Sequence, residues 1–266
     1  MSRPASPSFG WQVLLAILIA LGGTVAAGFA SADLASLLVT AGLQVPLREP
    51  LNLLMVLGLG WLAFRTLGPP TAIRLGQAGP GVMAGAAVAL GVLLAAWGLL
   101  MATGAASSPR WIGDSTAPVA LAVFALPWMV LHGLSEQYLV HRLAQDRAER
   151  WRGPWPGIFV AALVWTGVQL VQGYAAPVLL VNSFLLGCLF ALLARGPGGV
   201  LAAGLAHGLW SWLETVVWRS LWQWQLDPGA GAVRDQDSYG TWALTLVLLA
   251  VLLVAVWRDR SYPTRS

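Results

Sequence analysis

The chain has 266 residues, of which 58% are hydrophobic and only 10% are charged, and its mean hydropathy is +0.71. Eleven acidic side chains are too few to cover a water-exposed surface, so the composition excludes a soluble globular domain and predicts a polytopic membrane protein. The net charge of +4 comes from fifteen basic residues, all of them arginine, at the ends of apolar segments. No basic patch is interleaved with aromatic side chains, so we expect a lipid bilayer around the chain and no nucleic-acid partner.

Apolar segments of about 20 residues, each long enough to cross a bilayer, recur along the chain and predict an all-α bundle of eight membrane-spanning helices. The predicted spans lie near residues 11–30, 51–68, 82–103, 118–140, 157–173, 177–194, 199–221 and 241–257. The fifth and sixth are joined by the short segment GYAAP, which predicts a helical hairpin. No repeat of fixed period is present, so we expect one integral membrane domain over residues 1–266.

The arginines predict the orientation of the chain. If the N-terminus is inside, eleven arginines fall in inner segments and four in outer ones, so both termini are expected to be cytoplasmic, in a bacterial inner membrane. Arg3, the apolar stretch from Val13 and the sequence ASA at residues 30–32 imitate a cleavable signal peptide. We expect the first span to be retained, because its apolar stretch is longer than most signal sequences and its removal would break the arginine balance.

Polar side chains inside the predicted spans are few, and each one costs about 2.5–3.5 kcal/mol in lipid on insertion scales. They are His132, Glu136, Gln137, Gln169, Gln172, Asn182, His207, Ser211 and Glu214. At about 100° per residue, the His132–Glu136 pair and the His207–Ser211–Glu214 series each form one helix face. The sequence therefore predicts polar stripes that face the interior of the bundle.

Packing alone explains some of these residues. Gln172 and Asn182 are interpreted as hydrogen bonds between helices, and Glu214 as a group near the outer interface or a partner of Arg219. For Glu136 and His207 the alternative to a functional role is a structural ion pair between helices. Gly204 and Gly208 flank His207 in a G-x-x-x-G arrangement that permits close helix approach, which predicts a central seventh helix with His207 turned inward.

A buried glutamate can act as a general base toward water if a second polar group orients that water. Imidazole N–H and hydroxyl groups one turn apart could then stabilise a developing oxyanion. Glu136, Gln169, His207 and Ser211 are the candidates for these roles. No cofactor is needed for such chemistry, and we expect none.

From about Val119 to Glu214 the order and spacing of these residues resemble the CAAX prenyl endopeptidase and bacteriocin-immunity (CPBP) family of intramembrane proteases. Its motifs E-E-x-x-x-R, F-x-x-x-H and H-x-x-x-N correspond here to EQYLVH from Glu136, WTGVQ ending at Gln169, and HGLWS from His207 to Ser211. The resemblance implies a catalytic-core region over residues 118–221. Only Glu136 and His207 match outright, and the position of the arginine is taken either by His141 or, shifted by one, by Arg142.

In that family the first glutamate and the middle histidine are thought to activate water, while the last histidine and asparagine hold the oxyanion. The resemblance thus implies a base role for Glu136 and an oxyanion role for His207, with Ser211 as a shorter donor. Gln169 can hydrogen-bond a water molecule but cannot take its proton. His132, one turn from Glu136 on the same face, is the candidate that compensates for this loss.

Three functions remain open at this stage. The first is an endopeptidase that uses glutamate-activated water to cut near the C-terminus of a hydrophobic or lipid-modified polypeptide, presented from the inner side. The second is a catalytically impaired relative, a pseudoenzyme, that binds a membrane-protein partner as a scaffold, chaperone or immunity factor. The third, a transporter with Glu136 as its proton site, lacks the expected internal repeat. A metal site formed by His132, Glu136, His207 and Glu214 is a separate alternative, without a specific ligand spacing.

Overall fold

The structure, a computed structural model, describes residues 7–38, 44–68, 78–107, 109–111, 116–217, 221–223, 225–227 and 239–261. The α-helices in these ranges are α1 Pro7–Leu38, α2 Gln44–Leu67, α3 Ala78–Ala102, α4 Thr116–Leu139, α5 Asp146–Arg152, α6 Pro154–Val171, α7 Pro177–Arg195, α8 Gly199–Ser211 and α9 Trp242–Ser261. Two π-helical segments, π1 Val140–Gln145 and π2 Trp212–Val217, extend α4 and α8. The strands β1 Arg110–Trp111 and β2 Trp222–Gln223 form one short antiparallel pair, which the sequence analysis did not predict.

The predicted all-α membrane bundle is confirmed. Within the described ranges, seven helices are long and apolar enough to cross a membrane, and the shorter stretch Trp242–Arg258 is also apolar. Large apolar side chains on their outer faces, such as Met83, Val123 and Leu253, are 67–69% exposed. Apolar surface of this kind is stable when lipid rather than water covers it.

The fourth helix is longer than predicted. The sequence predicted spans near residues 118–140 and 157–173, but π1 joins α4 to α5, so that one helical segment runs from Val119 to Arg152 over 34 residues. The apolar side chains of Leu143, Ala144 and Ala148 are fully buried along this extension, and the helix continues because that face packs against its neighbours. The second span likewise begins earlier than predicted, at Gln44.

Helices α4 and α8 cross at a point that only glycine permits. A Cβ at Gly208 would lie 2.6 Å from both the carbonyl oxygen of Met129 and the Cα of Val130, and one at Gly204 would lie 2.9 Å from the Cα of Leu134. Gly133 on α4 faces both of these glycines in the same way. The close approach predicted from the G-x-x-x-G spacing is therefore confirmed, and its partner is α4.

Helix α8 also packs against α3 and α7, while α4 packs against α2. Helices α2 and α4 run in the same direction, because Asn52 Nδ2 donates to Ser135 Oγ at 2.9 Å and Arg147 donates to the Gly68 carbonyl farther along both helices. One buried apolar cluster lies between α3, α7, α8 and α9, and a second between α1, α2, α4, α6 and α7. The polar side chains of α4 and α8 lie between these two clusters.

Candidate active site

Glu136 lies near the middle of the long α4–π1–α5 segment and is 4% exposed. At 1.5 Å per residue, it is roughly 24 Å from the end of that segment at Arg152. The amide of Gln172, at the C-terminal end of α6, donates to Glu136 Oε1 at 2.8 Å. Gln172 thus forms the interhelical hydrogen bond expected of it, but its partner is the carboxylate expected to act as the base.

Two imidazoles flank this carboxylate. His132 Nε2 is 3.6 Å from Glu136 Oε1, and His207 Nε2 is 3.7 Å from Glu136 Oε2. These separations are longer than a direct hydrogen bond, but a water molecule placed about 2.8 Å from a carboxylate oxygen could reach an imidazole nitrogen at the same distance. The rings of His132 and His207 lie 5.6 Å apart, centroid to centroid.

A second carboxylate, on α2, contacts the same cluster. Glu49 is 3% exposed, and its Oε2 lies 3.2 Å from His132 Nδ1. Arg48 Nε is 3.8 Å from the other oxygen of Glu49. His132 therefore lies between two carboxylates, and its contact with Glu49 holds the ring beside Glu136.

On the other side of His207 is a small cavity of about 90 Å³. Its described lining includes Gln169 from α6 and Ser211 from α8, together with Glu214 from π2. Gln169 and His207 are each 6% exposed, and Glu214 is 3% exposed. The structure thus brings three of the five predicted catalytic residues to one cavity, whereas Glu136 and His132 are not among the described residues that line it, and Glu136 adjoins it through His207.

The interpretation of Glu214 as an interfacial group is not supported, because its side chain is buried against this cavity. Arg219, the partner considered for it, lies outside the described residues. Glu214 also takes no part in the group that could hold an ion. In the described chain that group is His132, Glu136 and His207, whose ligand atoms lie within 4.8 Å of one another.

The polar face of α4 continues beyond Glu136 as a chain of side chains spaced four residues apart. The Gln137 amide lies 3.3 Å from His207 Nδ1 and 2.7 Å from His141 Nε2. His141 Nδ1 lies 2.6 Å from Gln145 Oε1, and Gln145 Nε2 donates to Glu149 Oε1 at 2.7 Å. A buried hydrogen-bonded chain therefore extends from the His207 ring toward the end of the helix.

Comparison with known proteins locates a family match within this region. Residues 118–213 match the family model described as type II CAAX prenyl endopeptidase Rce1-like. This match supports the assignment of the chain to the CPBP family. No curated protein matches the chain. The matched residues run from α4 into π2 and include every side chain predicted to be catalytic.

The CPBP motifs can be followed in the structure. Gln137, which is compared with the second glutamate of E-E-x-x-x-R, is in direct contact with His141, one of the two residues compared with its arginine. Gln169, which is compared with the middle histidine, lines the same cavity as His207. Ser211, in place of the asparagine, lines the same cavity one turn after His207.

Two residues of the candidate site were missed at the sequence level. Glu49 fell before the predicted span near residues 51–68, although it lies within α2, and Gln145 fell between the predicted fourth and fifth spans. The pattern Q-x-x-x-H-x-x-x-Q-x-x-x-E, which begins at Gln137, was a readable signal of one continuous helix face. No such signal in the sequence indicated Glu49, because its partner His132 lies 83 residues away.

Proposed function

We propose that this protein is an intramembrane endopeptidase of the CAAX type in which Glu136 removes a proton from the attacking water. The observation that carries the proposal is the arrangement around that carboxylate. Gln172 fixes one oxygen, and an imidazole Nε2 lies within 3.7 Å of each oxygen. A water molecule held there has a base, a group to orient it and little competing solvent, which is what general-base catalysis needs.

The proposed substrate is a hydrophobic or lipid-modified polypeptide cut near its C-terminus. Glu136 lies roughly 24 Å from the end of its helix at Arg152, so a scissile bond must enter the membrane-spanning part of the bundle to meet it. An apolar or lipid-bearing segment makes that transfer at much lower cost than a polar one. Gln169 and Ser211, which share one cavity with His207, are the proposed contacts for the carbonyl group of the substrate.

The proposed location is the inner membrane, with both termini in the cytoplasm. Two inner arginine groups support this orientation. Arg195 Nε at the end of α7 lies 3.5 Å from Glu149 Oε1 on α5, and Arg147 on α5 donates to Gly68 after α2. The segments assigned to the inner side by their arginines are therefore at the same end of the bundle. Reporter fusions to the C-terminus that are active only in the cytoplasm test the orientation.

A second function is favoured by one observation. Gln169 occupies the position of a histidine that the family uses on water, and an amide cannot accept a proton at neutral pH. A catalytically impaired relative that retains the bundle to bind a membrane protein, as a scaffold, chaperone or immunity factor, is the alternative that follows.

The two functions are separated by comparing the termini of membrane proteins by mass spectrometry. The native host, without its own copy, expresses the wild type, Glu136→Gln or Asp33→Asn at matched levels. Asp33 is an exposed carboxylate on α1, so its conversion to an amide is the matched control. We expect new termini with the wild type and with Asp33→Asn, and none with Glu136→Gln.

Identical termini in all three strains would contradict the peptidase proposal. If, in addition, Glu136→Gln rescued a deletion phenotype as well as the wild type did, the binding function would be supported instead. Metal analysis of the purified wild type tests the remaining alternative, since bound metal that is lost with His132→Ala would indicate a site at His132, Glu136 and His207.

A further inference from the structure

The hydrogen bonds that link the side chains from His207 to Glu149 determine which ring nitrogens carry a hydrogen. The direction in which these bonds donate is determined at the Glu149 end. Gln145 Nε2 faces two acceptors, Glu149 Oε1 at 2.7 Å and the Ala191 carbonyl at 3.0 Å. The NH₂ group of Gln145 must therefore point toward them, and its Oε1 must point toward His141 Nδ1. Because an amide oxygen only accepts, His141 carries a hydrogen on Nδ1.

The same ring is neutral. His141 is 5% exposed, and both of its described hydrogen-bond partners are uncharged amides. A positively charged ring in this position would be buried with no carboxylate in contact, which is costly. A neutral His141 with hydrogen on Nδ1 has a bare Nε2, which needs a donor.

Gln137 is the donor that contacts this nitrogen. Its amide nitrogen and oxygen exchange places on a half turn about the last side-chain bond, so the network decides which atom faces which ring. As placed, Gln137 Nε2 faces His207 Nδ1 at 3.3 Å and Gln137 Oε1 faces His141 Nε2 at 2.7 Å, and the half turn brings the NH₂ group to His141 Nε2 and the oxygen to His207 Nδ1. That oxygen requires a hydrogen on His207 Nδ1, so in a neutral His207 ring Nε2 is bare, 3.7 Å from Glu136 Oε2.

We propose that Gln145, His141 and Gln137 hold His207 in the tautomer with hydrogen on Nδ1, so that its bare Nε2 works with Glu136 on the attacking water. This inference rests on the proposed peptidase function. It gives His207 the water-side part that the family assigns to its middle histidine, which here is Gln169. The oxyanion then falls to the Gln169 amide and the Ser211 hydroxyl, which line the same cavity.

In the proposed reaction, an O–H bond of water breaks and the proton goes to Glu136. The water oxygen forms a bond to the scissile carbonyl carbon, and the π electrons of that carbonyl group move to the carbonyl oxygen. Glu136 passes the proton to the bare Nε2 of His207. When the intermediate collapses, the C–N bond breaks and the nitrogen electron pair takes that proton from Nε2. Gln137, His141 and Gln145 touch no reacting atom and are positioning residues.

Nitrogen-15 NMR tests the tautomer directly, without a substrate. The chain has only three histidines, so full-length protein labelled at histidine in lipid nanodiscs gives few signals, and His207→Asn assigns those of His207. We expect hydrogen on Nδ1 and a bare Nε2 in the wild type. Hydrogen on Nε2 with a bare Nδ1 would overturn the inference, whatever the activity.

Variants of Gln137 separate tautomer control from simple packing. Gln137→Leu removes both contacts and should shift His207 toward the Nε2–H form, with a loss of kcat of about 100-fold and little change in KM on a cleavage reporter. Gln137→Glu still offers one oxygen to His207 Nδ1–H, and its other oxygen accepts from His141 Nε2 when that ring takes up a proton beside the new carboxylate, so the variant should retain both the His207 tautomer and activity. Gln12→Leu on α1 is the matched control and should match the wild type, because Gln12 belongs neither to the hydrogen-bonded chain from His207 to Glu149 nor to the described lining of the cavity.

An unchanged His207 spectrum in Gln137→Leu would overturn the inference, as would a Gln137→Glu protein that folds but resembles Gln137→Leu. If Gln137→Leu does not fold, the wild-type spectrum and Gln137→Glu still decide. A wild type with hydrogen on Nδ1 but no cleavage activity would support the tautomer assignment and contradict the peptidase function, so the two failures are distinguishable.

Discussion

The crossing of α4 and α8 sets the spacing of the proposed active site, and Gly208→Ala tests that dependence. The new Cβ would lie 2.6 Å from the Met129 carbonyl oxygen and the Val130 Cα, both of them backbone atoms that cannot rotate away. To reach the 3.4 Å at which ordinary contact begins, the two helices must separate by about 0.8 Å. Overpacking of this kind costs about 1–3 kcal/mol of stability.

The same displacement moves the neighbouring His207. Its Nε2 is 3.7 Å from Glu136 Oε2, and separating the helices would lengthen that distance to about 4.5 Å. A misplacement of about 1 Å in a catalytic group can lower the rate roughly 100-fold. We therefore expect Gly208→Ala to lower both the unfolding temperature and kcat.

The assay is thermal unfolding of purified protein in detergent, together with cleavage of a reporter by protein that remains folded. Gly91→Ala on α3 is the control, because nothing lies within 4 Å of a Cβ at that exposed position. Replacing a helical glycine with alanine there should raise stability by up to about 1 kcal/mol. A Gly208→Ala protein as stable and active as Gly91→Ala would refute the link between helix spacing and catalysis.

Two further predictions concern single side chains. His132→Ala should abolish every cleavage that Glu136→Gln abolishes, because it removes the imidazole 3.6 Å from Glu136 Oε1. Full activity in His132→Ala, measured by the same terminus comparison, would rule out the compensating role of His132. Asn182→Leu should lower the stability of the bundle by about 1–2 kcal/mol in thermal unfolding, with cleavage by the folded protein retained. Asn182 Nδ2 donates to two carbonyls after residue 238 and its Oδ1 accepts from Thr245, so unchanged stability would mean that these bonds do not hold α9 against α7.

Features that depend on spacing along one helix could be predicted from the sequence. The four-residue separation of His132 and Glu136 is enough to put both on one face, and the structure places their side chains 3.6 Å apart. The G-x-x-x-G spacing at Gly204 likewise indicated a close approach. The helical period alone determines such relations, because it does not depend on which helices become neighbours.

Contacts between helices could not be predicted in this way. Nothing near Gly133 identifies it as the partner of Gly204 and Gly208, since single glycines are common in membrane helices. Glu49 was missed for a related reason, because an acidic side chain beside an arginine and a proline reads as a loop until His132 is placed against it. Each of these contacts depends on how the helices pack, which one sequence does not determine.

The substitutions in the first motif, E-E-x-x-x-R, can be assessed by whether the substituted side chains contact each other. Losing one member of a buried ion pair leaves an unpaired charge and is strongly destabilising, whereas exchanging both members for neutral groups that still meet costs little. In the comparison that pairs His141 rather than Arg142 with the family's arginine, Gln137 and His141 replace its glutamate and arginine, and their side chains lie 2.7 Å apart. Two neutral groups in contact leave no unpaired buried charge, so such a pair keeps the support behind His207. A site that had only lost its chemistry would not need that support, which favours the peptidase over the impaired relative.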